Sequence, residues 1–155
     1  MLEAIPTGLF ASNIVVQQQN QVVGEVDISH WREKARLELP EGSYTLRREG
    51  FCTGDFLLER DDGNVIARAT KPSIFQCTFD VELPNRVVTL RKPSMWSRRF
   101  ALFDGDRQIG SVYPTGIFTR RSNIDLPSDL PLATRIFVYW LALLSWNRQS
   151  AAAAS

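Results

Sequence analysis

Four adjacent pairs of cations, Arg47-Arg48, Arg91-Lys92, Arg98-Arg99 and Arg120-Arg121, are the residues of this chain whose type and spacing could do chemistry. A guanidinium presents a planar fork of N–H donors that matches two phosphate oxygens, and an ammonium adds a point charge. Such pairs on a rigid edge suit an anionic head group. The same residues also serve as solvated strand ends, because edge charge discourages strand-to-strand association. The chain carries 18 Lys and Arg against 17 Asp and Glu, a formal net charge of +1, so its overall field gives no push toward anions or nucleic acid.

Side chains suited to catalysis are sparse. His30, beside Trp31, is the single histidine and would have to serve any imidazole-based scheme. Cys52 and Cys77 form neither a CxxC motif nor a Cys/His cluster, so a zinc site has no support and Cys77 reads as a small core residue. Asp61-Asp62-Gly63 and Asp104-Gly105-Asp106 look like the start of a calcium loop, yet neither is followed by the bidentate acid such a loop needs. There is no Gly-rich phosphate loop and no nucleophile elbow. The expectation is a non-enzymatic protein with no catalytic residues, no metal and no cofactor.

The elements that must position the cations are strands. Short alternating or β-branched runs recur with turn residues between them: Gln21 to Ile28, Tyr44 to Arg48, Asp55 to Arg60, Asn64 to Thr70, Ile74 to Val81, Val87 to Arg91, Arg99 to Phe103 and Gln108 to Tyr113. Asp61-Asp62-Gly63, Asp104-Gly105-Asp106, Pro40-Glu41-Gly42 and Pro84-Asn85 supply the turns. Tyr44-Thr45-Leu46-Arg47-Arg48 matches Val88-Thr89-Leu90-Arg91-Lys92, and Phe56 with Leu58 matches Phe100 with Leu102. One residue out of step, Ile66-Ala67-Arg68-Ala69 matches Ile109-Gly110-Ser111-Val112, and Val23-Gly24-Glu25-Val26 is a fainter copy. Three units of about four strands give roughly twelve, enough to close an antiparallel barrel with a wide lumen.

A filler for that lumen follows. Ile136 to Leu144 is apolar on every helical face, which demands burial in protein or in lipid. Arg135 and Asn147 bracket it too closely for a bilayer, which takes about 20 residues. A helix of about 130–147 threading the barrel is therefore expected, with Ser128 and Asp129 as caps and Arg148 near the negative end of its dipole. The division expected is an arm over 1–12 that is loose or an added edge strand, one barrel domain over 13–148, and a frayed tail over 149–155.

Tyr44-Thr45-Leu46-Arg47-Arg48, Gly54-Asp55-Phe56-Leu57-Leu58-Glu59 and Gly63-Asn64-Val65-Ile66-Ala67-Arg68-Ala69, closed by an apolar helix, resemble the tubby C-terminal-like superfamily of tubby, phospholipid scramblase and LURP-one-related proteins. The resemblance covers roughly residues 12 to 148. It implies a twelve-stranded barrel threaded by its C-terminal helix and, for some members, binding of phosphoinositide head groups. The tubby C-terminal signature and the scramblase cysteine-rich region are absent, so no family contact residue transfers to a numbered position. The lipid-binding candidates are Arg47, Arg48, Arg91, Lys92, Trp96, Arg98 and Arg99.

Phe51 and its repeat equivalents Met95 and Trp96 either fold over the barrel end and cover the helix, the favoured reading, or contact a membrane interface. Two functions follow: a peripheral module for anionic phospholipid, or a soluble scaffold for a protein partner. A barrel holding a small hydrophobic ligand is disfavoured by its filled lumen. The N-terminus lacks a basic n-region and a long apolar stretch, pointing to the cytoplasm, at most peripheral to the inner membrane face.

Overall fold

Twelve strands and one helix follow one another in the computed structural model, which describes residues 1–8, 12–29, 32–50, 54–72, 77–116 and 120–154. The strands are β1 Leu2–Thr7, β2 Asn13–Gln18, β3 Gln21–Ser29, β4 Lys34–Leu39, β5 Gly42–Arg48 and β6 Phe56–Arg60, then β7 Val65–Thr70, β8 Thr78–Glu82, β9 Val87–Arg91, β10 Phe100–Asp104, β11 Arg107–Pro114 and β12 Ser122–Asp125, followed by helix α1 Leu132–Ala154. Each strand pairs antiparallel with its neighbours in sequence, and β1 pairs with β12 to close the barrel. The expected barrel is present, with differences at its margins. The 1–12 arm contributes β1, registered from Leu2 opposite Gln18 to Thr7 opposite Asn13. The tail is helical as far as Ala154. The strand expected from Ile74 begins only at Thr78, and residues 73–76 lie outside the described residues.

The three units are β1–β4, β5–β8 and β9–β12, and their most telling shared feature is a β-bulge. Register shifts fall between Val16 and Gln17, between Leu58 and Glu59, and between Leu102 and Phe103. In each, one residue of the following strand is skipped: Val23, Ile66 or Ile109. All three skipped side chains pack against the core. The bulge bends the strand and turns an apolar residue toward the lumen, which is how a short strand curves around a helix. The neighbouring position is small every time, as Gly24, Ala67 or Gly110. A Cβ on Gly24 would lie 2.5 Å from Leu39 Cδ2, and one on Gly110 would lie 2.5 Å from the Asp125 carbonyl oxygen.

The core is the lumen. Ile136, Phe137, Val138, Tyr139, Trp140, Leu141 and Ala142 are all buried, which in a helix places buried side chains on every face. They meet inward side chains around the circumference. Trp140 packs edge-on against Phe56 of β6 (centroids 5.8 Å apart), while Trp146 lies 6.1 Å from Phe100 of β10. The expected cap is not formed: α1 starts after Pro131, and the Asp129 carboxylate is engaged by Arg86 at 3.0 Å. Arg148 lies well inside the helix and pairs with Glu33 instead of facing a terminus. No helix of the described residues is long and apolar enough to cross a membrane.

Tight connections, including Gln19-Asn20 with both φ positive, sit at the end where α1 enters. The strand ends Thr7, Ser29, Arg48, Thr70, Arg91 and Pro114 lie at the end where it leaves.

Candidate functional site

The second and third units differ, residue by residue, in which basic pairs are neutralised within the chain. In the second unit Arg47 is tied to Glu59, with Nη2 2.6 Å from Oε1. The third-unit equivalents are Arg91 and Phe103, and there the guanidinium stacks 4.0 Å from the ring centroid. Arg48 lies over Phe56 at 5.4 Å and is neutralised by Glu33 at 2.8 Å. Its counterpart Lys92 lies over Phe100 at 5.3 Å and has no carboxylate partner among the described residues. Asp55, which accepts from Arg68 at 2.9 Å, is replaced by Arg99, which donates to Ser111 Oγ at 3.1 Å and stacks over Tyr113 at 3.9 Å. The second unit therefore carries a carboxylate where the third carries an aromatic ring or another cation.

The candidate residues thus divide. Arg47 and Arg48 are spent on Glu59 and Glu33, and four strand positions separate them from the Arg91-Lys92 pair at the end of β9, roughly 20 Å around the barrel. Arg91, Lys92, Arg98 and Arg99 flank the β9–β10 connection, with no carboxylate ion pair among the described residues; Arg91 and Lys92 line one groove there, while Arg99 turns to Tyr113 of β11. Arg121 lies 3.8 Å from Glu3, away from that connection. The reading in which the aromatic tips cover the helix fails here: Met95 is 88% and Trp96 95% exposed. Phe51, Cys52, His30 and Trp31 lie outside the described residues.

The end of α1 braces this rim. The Trp146 indole N–H donates to the Arg98 carbonyl oxygen at 2.9 Å, fixing the base of the tip. Beside it is an open groove of about 430 Å³. Cys77 and Thr78 line it at the start of β8, Arg91 and Lys92 at the end of β9, Ser94 and Met95 in the tip, and Gln149 on the helix. Burial, with a further push from Arg98, holds the Lys92 ammonium below the ordinary lysine value. Cys77 is a free, half-buried thiol packed against the core, as expected, but it lies just before the strand.

Glu33 was not visible from sequence as a participant. Its two oxygens take Arg148 Nε at 3.1 Å and Arg48 Nη1 at 2.8 Å, joining the helix to the barrel end. Burial raises its carboxyl pKa, but Arg148 and Arg48 outweigh this and hold it below the ordinary 4.5. A lowered folded value stabilises above the unfolded pKa, and that stability is lost as pH falls through the folded value. Glu33→Gln is expected to cost about 1 kcal/mol at pH 7. The gap from wild type should close in acid below the folded pKa. Urea midpoints for both proteins at pH 7 and in acid check this, and an equal gap at both would exclude the ionic contribution.

Among the described residues no group of three or more His, Cys, Asp or Glu could hold a metal ion. Asp61 pairs with Arg36 at 3.1 Å, and Asp62 Oδ1 accepts the Asn64 N–H at 2.9 Å, so those carboxylates serve the turn. Compared with known protein families, curated proteins and solved structures, the chain matches none.

Proposed function

We propose that this protein is a non-enzymatic module that docks on anionic phospholipid through the 92–99 connection. One observation carries the reading: Met95 and Trp96 stand almost fully exposed on a tip flanked by Lys92, Arg98 and Arg99, none of which has a carboxylate partner among the described residues. An indole at head-group depth with cations meeting acidic lipid is how peripheral proteins hold a membrane surface. The twelve strands in three bulged units around a threaded helix support kinship with the tubby-like proteins. Contact from the cytoplasmic side is a corollary of this reading. Arg47 and Arg48 drop out of the site because they are already neutralised.

Flotation of the purified chain on neutral and on anionic vesicles, at low and near-physiological salt, tests the proposal. Binding should require anionic lipid and weaken with salt. Arg98→Ala/Arg99→Ala should lose about 2 kcal/mol, roughly thirtyfold in affinity. Trp96→Ala should weaken binding at both salt concentrations, because its contribution is not screened. If nothing floats under any condition, the proposal is excluded, and the soluble scaffold reading takes its place.

A further inference from the structure

We infer that the groove beside the tip is a seat for a phosphomonoester. The inference rests on the membrane reading for the source of the ligand, but its chemistry comes from the groove alone. Two cations line it, Arg91 and Lys92, and among the described residues no carboxylate does. A phosphomonoester carries about −1.5 to −2 charges near neutral pH and so neutralises both. A phosphodiester, with one charge, leaves a cation uncompensated.

The donors suit a tetrahedral anion. The Arg91 guanidinium carbon rests 4.0 Å from the Phe103 ring centroid, a contact that restricts the freedom of the side chain before any ligand arrives. Lys92 is anchored over Phe100 at 5.3 Å and partly desolvated, a state that a neighbouring anion relieves. Thr78 and Ser94 add two hydroxyls at the same groove. Cys77 and Met95 form an apolar wall, and Met95 continues it outward to the exposed Trp96. A ligand with phosphate inward and an apolar body outward fits this arrangement. The repeat shows why the second unit offers no such seat among the described residues. The equivalent cations of the second unit, Arg47 and Arg48, are already neutralised, by Glu59 of that unit and by Glu33 of the first.

Such a ligand is either a lipid head group or a soluble phosphomonoester, and separate arms distinguish them. In the first, phosphatidylcholine vesicles doped with phosphatidic acid or with phosphatidylglycerol are matched for surface charge, and binding of the full chain is compared. Phosphatidic acid should be preferred about tenfold, the worth of one extra charge-assisted hydrogen bond. Lys92→Gln and Ser94→Asp should each abolish that preference while salt-sensitive binding to phosphatidylglycerol persists. Ser94 is exposed, so its carboxylate repels an anion without touching the core. In the second arm, inorganic phosphate and glycerol 3-phosphate are titrated while the amide resonances of Ser94, Met95 and Gln149 are followed. Shifts at those residues that Lys92→Gln removes support the seat even if no vesicle is bound, in which case the membrane reading alone falls. Equal affinity for the two charge-matched lipids, with no groove shifts on adding phosphate, overturns the seat and leaves the membrane reading standing.

Discussion

Trp140→Ala is expected to cost about 3–5 kcal/mol of folding stability, a drop of roughly 10 °C in Tm for a domain of this size. The side chain is fully buried inside the lumen, edge-on to Phe56 at 5.8 Å and stacked near Phe137 at 6.1 Å. Phe56 in turn meets Phe79 of β8 at 5.8 Å, so the indole is the hub through which α1 is tied to two strands of the second unit. The lumen wall is a closed hydrogen-bonded ring, and a closed ring cannot collapse into a void as an open sheet can. The cavity term should therefore lie at the upper end of its range. Trp140→Phe should behave differently. Trp140 Nε1 is buried without a hydrogen-bond partner among the described residues, a cost of about 1–3 kcal/mol that phenylalanine does not carry. Its smaller ring should thus cost under about 1.5 kcal/mol. Chemical denaturation of both variants checks the pair, and equal losses would show that the indole fills no space the barrel depends on.

The sequence made the architecture legible because two kinds of signal agreed. Alternation marked β3, β5, β7, β9 and β11, and the repeat supplied the number of strands. The slip of one residue within the repeat falls among the turn and bulge residues that join β6 to β7 and β10 to β11. Other strands were harder to read. In β4, Lys34-Ala35-Arg36-Leu37-Glu38-Leu39 alternates cleanly in burial, yet Ala, Arg, Leu and Glu are equally at home in a helix. β12 has a single large apolar residue, Ile124, and β1 pairs with β2 beside it in sequence but closes the barrel only through β12 at the far end of the chain.

The site was legible in its residue types but not in its geometry. Arg47 and Arg91 are equivalent in sequence, and what separates them is Glu59 against Phe103, twelve residues further on in each unit and diagonally across on the neighbouring strand. Aligning the units and asking which carboxylates fail to recur would have exposed that contrast. The role of Glu33 could not have been found in this way, because its partner Arg148 comes from the helix and meets it only once the barrel has closed.

Ending the chain after Pro131 should abolish the cooperative fold. Ile136, Phe137, Val138, Tyr139, Trp140, Leu141, Leu144 and Trp146 are buried. At about 1.5–3 kcal/mol each, their burial is worth on the order of 10 kcal/mol or more, comparable to the whole stability of a small domain. Without them the inward faces of the strands would line a wide, wet lumen. The shortened chain should show no sharp urea transition and should bind a hydrophobic dye. A cut in place should act quite differently. A protease site introduced at Ser128, in the exposed link before α1, severs the covalent connection but removes no buried contact. The cleaved helix should stay in the lumen through gel filtration and leave only in denaturant, with the indole of Trp146 still held by Arg98. A shortened chain with an undiminished transition midpoint would mean that the strands alone sustain the barrel; loss of both folds alike would mean that the link, and not the threaded helix, holds it together.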